Sequence, residues 1–290
     1  MKILISNIYI VLSLFLYSSC KSQNNIEFNF NTNDSIVRID SIIPVKALTQ
    51  DSLITTLKVH TIKIIDGYKN SNLKIFTTLV YDKDGKLVER EQVNQQLAEK
   101  TTFIYNNKNL LIGESTIETM PKHSGLESTV EYEYNSNNRL LRKKTVYNNP
   151  QSITEKIYKY NKLGLLDTLI DEFMGNPVKI IYEYNSIGLC IKETKKPLNE
   201  PAFEVDYIYN INGWETEKIT PNQNFKKEYN NKGQKIKTHY RSNLFGELHE
   251  SSFDEYKYYK NGLLRESLTN EKKDDKWEIN EIQKCYYTFY

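Results

Sequence analysis

Residues 158–169 read YKYNKLGLLDTL. Tyr158 and Tyr160 flank Lys159, Asn161 follows, Gly164 stands four residues after Tyr160, and leucines come next. Alternation of ring and charge has the period of a strand with one dry and one wet face. The Asn and Gly behind it mark a tight turn, because Asn bonds its own backbone and Gly accepts positive φ. The leucines then read as a return strand, so the stretch is a β-hairpin.

The phrase recurs. With the second Tyr as anchor, copies stand at Tyr81, Tyr105, Tyr134, Tyr160, Tyr184, Tyr209, Tyr229 and Tyr258. The anchors lie about 25 residues apart, which is the mark of a repeat architecture. The fourth residue after the anchor is Gly85, Gly164, Gly188, Gly213, Gly233 or Gly262, and in the other two copies Asn109 or Asn138. Gly and Asn are the residues that most readily turn left-handed, so this position serves the backbone rather than a phosphate. Anchor and anchor-minus-two share a face, as Tyr132 with Tyr134 or Tyr207 with Tyr209, whereas the residue between is usually charged, as Glu133, Lys159 or Lys257.

A lone hairpin is marginal in water, so the units should pair side by side. The sequence predicts an all-β fold: tandem β-hairpin repeats forming one long, twisted antiparallel sheet, an open trough or part-shell. The repeat domain spans 78–290. Residues 35–77 contain strand-like runs without the Tyr-Asn phrase and read as atypical capping strands, and CYYTFY at 285–290 reads as a closing edge strand. The best helical candidate outside the signal, VEREQVNQQLAEK at 88–100, lacks clear caps and reads as β.

Composition excludes some functions. The 290 residues include 22 Tyr, against a hydrophobic share of 39%. The core is therefore built largely from amphipathic aromatics. A formal charge of +2 with no basic block gives no electrostatic footprint for nucleic acid.

At the amino terminus, Met1-Lys2 precedes an apolar run from Ile3 to Tyr17, then Ser18-Ser19-Cys20. A short basic start, a short apolar stretch and small residues before a cut form a secretory signal. With its Cys, the segment resembles a bacterial lipoprotein signal, although Tyr17 stands where Leu is usual. The resemblance implies a signal peptide at 1–19, lipid attachment at Cys20, and a membrane as partner through that anchor. Residues 20–34 read as a polar tether. No dense acidic run follows Cys20, and the expected address is the periplasmic face of the outer membrane rather than the cell surface.

The phrase YxYNxxGxL resembles the YD repeat of Rhs-type proteins, from Tyr81 to about Leu264. It departs from that family in having Asn for Asp in most copies, no consistent Arg after Gly, and no terminal toxin or autoprotease motif. Large relatives form a shell around a toxic domain; eight copies look too few to close one.

Reactive chemistry is sparse. His60, His123, His239 and His249 lack metal-ligand spacing, although His239 and His249 lie close enough to meet across a hairpin. Asp171-Glu172 and Asp274-Asp275 are adjacent carboxylates, which a strand points to opposite faces. Cys190 and Cys285 read as small buried groups rather than a disulfide. No cofactor, metal or catalytic residue is expected. Trp214 and Trp277 are the ligand-binding candidates, with sheet packing as the plainer reading. The sequence therefore points to a non-catalytic cell-envelope lipoprotein that binds or scaffolds a glycan or protein partner. The alternatives are an accessory or immunity partner of a polymorphic toxin system and, third, an envelope-polymer enzyme.

Overall fold

The repeated turns organise the computed structural model. After each anchor the chain makes a two-bond turn: in the fourth copy the Gly164 amide donates to the Asn161 carbonyl at 2.9 Å and the Asn161 amide to the Leu165 carbonyl at 2.9 Å. Asn161 Oδ1 accepts from the amides of Leu163 and Leu165, both at 3.0 Å, closing the loop from inside. The eighth copy has Tyr259 at that place, and Asn261 accepts from the Leu263 amide instead. The left-handed position lies at φ +79° in Gly164, and at +63° and +60° in Asn109 and Asn138.

The structure describes residues 50–68, 74–94, 97–120, 125–148, 151–173, 175–244, 247–274 and 276–290. Cys20, the tether at 20–34 and His123 lie outside them. A short helix, α1, covers Gln50–Thr56. The strands then run Val59–Tyr68 (β1), Lys74–Tyr81 (β2), Leu87–Val93 (β3), Ala98–Tyr105 (β4), Leu111–Thr119 (β5) and Glu127–Tyr134 (β6). They continue as Leu140–Asn148 (β7), Gln151–Tyr160 (β8), Leu166–Phe173 (β9), Asn176–Tyr184 (β10), Cys190–Pro197 (β11) and Phe203–Tyr209 (β12). The last six are Glu215–Ile219 (β13), Gln223–Tyr229 (β14), Lys235–Leu244 (β15), Glu247–Tyr258 (β16), Leu264–Lys273 (β17) and Lys276–Phe289 (β18). Within the segment 88–100, residues 88–93 lie in β3 and 98–100 in β4.

Every strand pairs antiparallel with its chain neighbours in one 18-stranded sheet, and β1 also pairs with β18. That last pairing corrects the open trough. Ile64 lies opposite Cys285 and Ile62 opposite Tyr287, so the sheet is a closed barrel with no free edge. Residues 35–49 of the supposed capping segment 35–77 lie outside the described residues; within the rest, β1 is the partner of the supposed edge strand. The two strands form a ninth hairpin-like pair with no covalent turn between them. Within the capping segment, residues 53–56 belong to α1, 57–58 to a turn and 59–65 to β1.

Followed through its Cα partners, the register returns to β1 displaced by about 18 residues, which for strands ~4.8 Å apart gives a tilt of about 35° and, in a round ring, a backbone radius of about 17 Å. The tyrosine face points inward. Seven anchors are half-buried and Tyr81 is buried, whereas Ile104, Glu133, Lys159, Glu183, Ile208, Glu228 and Lys257 are exposed. A tight apolar cluster sits at the closure, where Leu53 and Ile54 of α1 pack on Val59, Ile64, Leu79, Leu263 and Cys285.

Candidate functional site

The inner wall has two layers, and the first is structural. Seven of the eight anchor hydroxyls reach one strand back to a main-chain carbonyl just past the preceding turn. Tyr105 donates to Leu87, Tyr134 to Leu111, Tyr160 to Leu140 and Tyr184 to Leu166, at 2.9, 2.7, 2.7 and 2.7 Å. Tyr209 donates to Cys190, Tyr229 to Glu215 and Tyr258 to Lys235, at 2.7, 2.7 and 2.6 Å. Pairing between neighbouring units stops before these carbonyls; between β9 and β10 the last partners are Ile181 and Thr168. The hydroxyl supplies the donor that the backbone ladder lacks there, which is why the anchor is Tyr and not Phe.

The second layer, two residues deeper, carries the chemistry. Tyr132 on β6 donates to Glu114 on β5, and Lys143 on β7 stands over its ring at 5.2 Å. Tyr207 on β12 repeats this, donating to Glu193 on β11 at 2.8 Å beneath Lys218 of β13 at 5.5 Å. On β16, Tyr256 donates to Asp254 at 3.0 Å with Lys235 over its ring at 4.4 Å, and Tyr240 adds a bond to the same carboxylate at 2.6 Å. These are three carboxylate–tyrosine–lysine triads. Further inward ion pairs, Lys156 with Asp171 at 2.6 Å and Lys227 with Glu215 at 2.5 Å, continue the polar lining.

Each triad places charge in a partly desolvated wall. Burial pushes the ammonium groups of Lys143 and Lys218 down, and neighbouring cations add to the effect. Lys235 falls furthest, to about 8, through burial and then Lys227. The hydroxyls of Tyr132, Tyr256 and Tyr240 move up for the same reason, so these stay protonated donors. Near the closure, Asp66, Gln283 and Glu281 line the wall; burial and the Asp66 and Asp254 carboxylates push Glu281 up to about 7.

The outer face is built differently. Lys100 pairs with Glu89 at 2.9 Å, Arg142 with Glu155, Lys192 with Glu204 at 2.8 Å and Lys257 with Glu266 at 3.0 Å. A barrel that spans lipid presents an apolar band about 25 Å tall on that face. Here ion pairs are interspersed with exposed apolar side chains such as Ile104, Ile208 and Trp277.

The residues singled out in the sequence are scattered. Half-buried Trp214 packs on Tyr229 at 5.5 Å between ring centres. Trp277 packs on Phe253 at 4.8 Å on the outer face and is 41% exposed. They do not converge on one site. His60 stacks on Tyr290, and His239 lies between Glu228 and Glu250; β15 and β16 set His239 opposite Phe253 and His249 opposite Ser242, so the two histidines are not partners. Asp171 faces in to Lys156, while Glu172 lies opposite Glu155, whose carboxylate pairs with Arg142 outside. Cys190 and Cys285 are free thiols, the first half-buried and the second buried. Among the described residues no group of three or more His, Cys, Asp or Glu side chains is placed to hold a metal ion. The triads escaped sequence reading because each draws on more than one strand; the cross-strand register is what joins Tyr132 to Lys143.

No protein-family model matches this chain, and no characterised protein does. Among solved structures, a porin-like protein from Bacteroides uniformis ATCC 8492 aligns over 80% of this chain and 96% of its own, at 11% identity and a TM-score of 0.41. The TcdB2-TccC3-Cdc42 structure aligns over 73% of this chain at 13% identity and a TM-score of 0.36; the match spans 14% of that chain. Likenesses this slight carry no argument about function, and the barrel stands on its own strand pairings.

Proposed function

We propose that the chain is a non-catalytic, lipid-anchored cell-envelope barrel whose inner wall binds a charged glycan. The observation that carries this is the set of three inward triads. Each offers a cation, an anion and a phenol within one side chain of another, the donors and acceptors that a uronic acid or amino sugar presents in reverse. The anchor is the lipid on Cys20, after removal of 1–19, and the body stands outside the bilayer on the periplasmic side of the outer membrane. The ion-paired outer face supports that placement. The eight anchor turns, six of them with Gly and two with Asn at the left-handed position, support kinship with YD-repeat proteins.

Two measurements test the reading. Titration calorimetry with soluble peptidoglycan fragments and uronic-acid oligosaccharides should show binding that weakens in Lys143→Met/Lys218→Met while circular dichroism stays unchanged. Absence of binding by the unaltered protein to every such glycan would rule out the ligand. Separately, Cys20→Ala should release the protein from membranes or stall its processing, and equal membrane association would rule out the anchor.

A further inference from the structure

The eight turns all lie at one end of the barrel, and their tips form a rim of unusual composition. Lys83, Lys108, Lys162, Lys232 and Lys260 are exposed there, each from a different turn. Only the turn at 82–85 adds acids, and both Asp82 and Asp84 lie within 4 Å of Lys86, at 3.8 and 3.4 Å. Three consecutive turns, between β8 and β13, carry apolar tips: Leu163, Ile187 and Ile211. Leu163 is 70% exposed and Ile211 68%, the two largest values for apolar side chains among the described residues. A tight turn needs no apolar side chain at its tip, since the Asn and Gly alone complete its bonds.

The amino-terminal side of the chain meets the barrel at this same rim. Gln50, the first residue of α1, donates to the Gly262 carbonyl at 3.0 Å and accepts from the Leu264 amide at 2.8 Å. A Cβ on Gly85, in the turn on the other side of the closure, would meet Thr55 of α1 at 2.6 Å. The described chain thus begins, at Gln50, beside the rim that carries the lysines and apolar tips.

We propose that the turn-bearing rim is a docking surface for an anionic lipid bilayer, with Leu163, Ile187 and Ile211 entering the headgroup layer and the five turn lysines meeting lipid phosphates. Apolar tips flanked by lysines are what an interfacial surface needs: partial burial of the first, and charge attraction by the second. The barrel axis then stands upright on the membrane and its other mouth faces the aqueous side. The inference rests on the anchored reading above and adds an orientation to it.

The test uses the full chain with vesicles of phosphatidylcholine and phosphatidylglycerol, with and without brominated acyl chains. In a background of Trp214→Phe and Trp277→Phe, one variant carries Ile211→Trp and a second carries Leu198→Trp. Leu198, 64% exposed, lies in the connection between β11 and β12 at the opposite end. Both positions are exposed, so the fold should tolerate either, and circular dichroism checks it. Ile211→Trp should shift to the blue and be quenched by brominated lipid at least about twofold more than Leu198→Trp. Adding Lys108→Glu, Lys162→Glu and Lys232→Glu should remove most of that difference. Equal quenching at the two positions would overturn the orientation while leaving the anchor intact. No association with the vesicles would overturn both readings. A blue shift of Ile211→Trp that needs no lipid would assign the rim to a second copy of the chain instead.

Discussion

The Tyr287 hydroxyl donates to the Leu264 carbonyl at 2.8 Å, the bond that Tyr184 makes to Leu166 at 2.7 Å. Tyr287 has no Tyr-Asn turn after it, yet it occupies an anchor position. The next strand in the ring is β1, from the other end of the chain, and the Tyr290 amide donates to the Lys58 carbonyl at 3.0 Å where a turn would stand. Lys58 has φ +52°, the left-handed backbone that Gly supplies in the covalent turns. The junction of β18 with β1 thus imitates one more repeat.

Removing one anchor hydroxyl tests the ladder. Tyr184→Phe keeps the ring and leaves the Leu166 carbonyl without its donor, which should cost about 0.5–1.5 kcal/mol in urea denaturation. Tyr286→Phe, at an exposed outer position, should cost much less. Equal effects would mean that the ladder adds no stability.

The turns give a second contrast. Gly164→Val should destabilise by about 1–3 kcal/mol, because a β-branched residue at positive φ is strained. The new Cβ would also meet Arg139 at 1.9 Å, a flexible side chain that must move. At Gly113 a Cβ meets Ile104 and the Val130 carbonyl at an ordinary 3.6 Å, and the same change should be milder.

Much of this was legible in sequence, for physical reasons. Gly164 and Asn138 announce positive φ, and the alternation at Tyr132–Glu133–Tyr134 announces two unlike faces. Closure was not legible. Ile62 and Ile64 form an ordinary strand pattern that names no partner, and Cys285–Tyr290 lacks the turn that gives the other strands their neighbours. Helix α1 was missed because seven residues without a heptad of apolar spacing leave no period to read. The triads depend on register, so Glu114 and Lys143 look like surface charges until the strands are laid side by side.

A pH dependence follows from Glu281. Its carboxyl titrates near 4.5 in the unfolded chain and is pushed up to about 7 in the fold, chiefly by burial. The folded value lies above the unfolded one, so this group's contribution is fully present below about 4.5 and is lost as pH rises through about 7. The barrel should therefore lose about 1–3 kcal/mol across that window from this residue, discounted for its partial exposure. Glu281→Gln should flatten the decline when stability is followed by denaturant midpoint against pH. An unchanged profile would show that Glu281 is solvated in the fold.

The central claim is that the sheet closes on itself. Lys63 and Tyr286 are register partners across the β1–β18 junction and face outward, so Lys63→Cys and Tyr286→Cys, with the native cysteines replaced by Ser, can carry a pair of spin labels. Electron–electron resonance should give a single short separation, under about 20 Å, because directly opposed residues have Cβ atoms ~5 Å apart. An open sheet of eighteen strands at ~4.8 Å spacing would hold those two labels roughly 80 Å apart. A distance of that size would contradict the barrel.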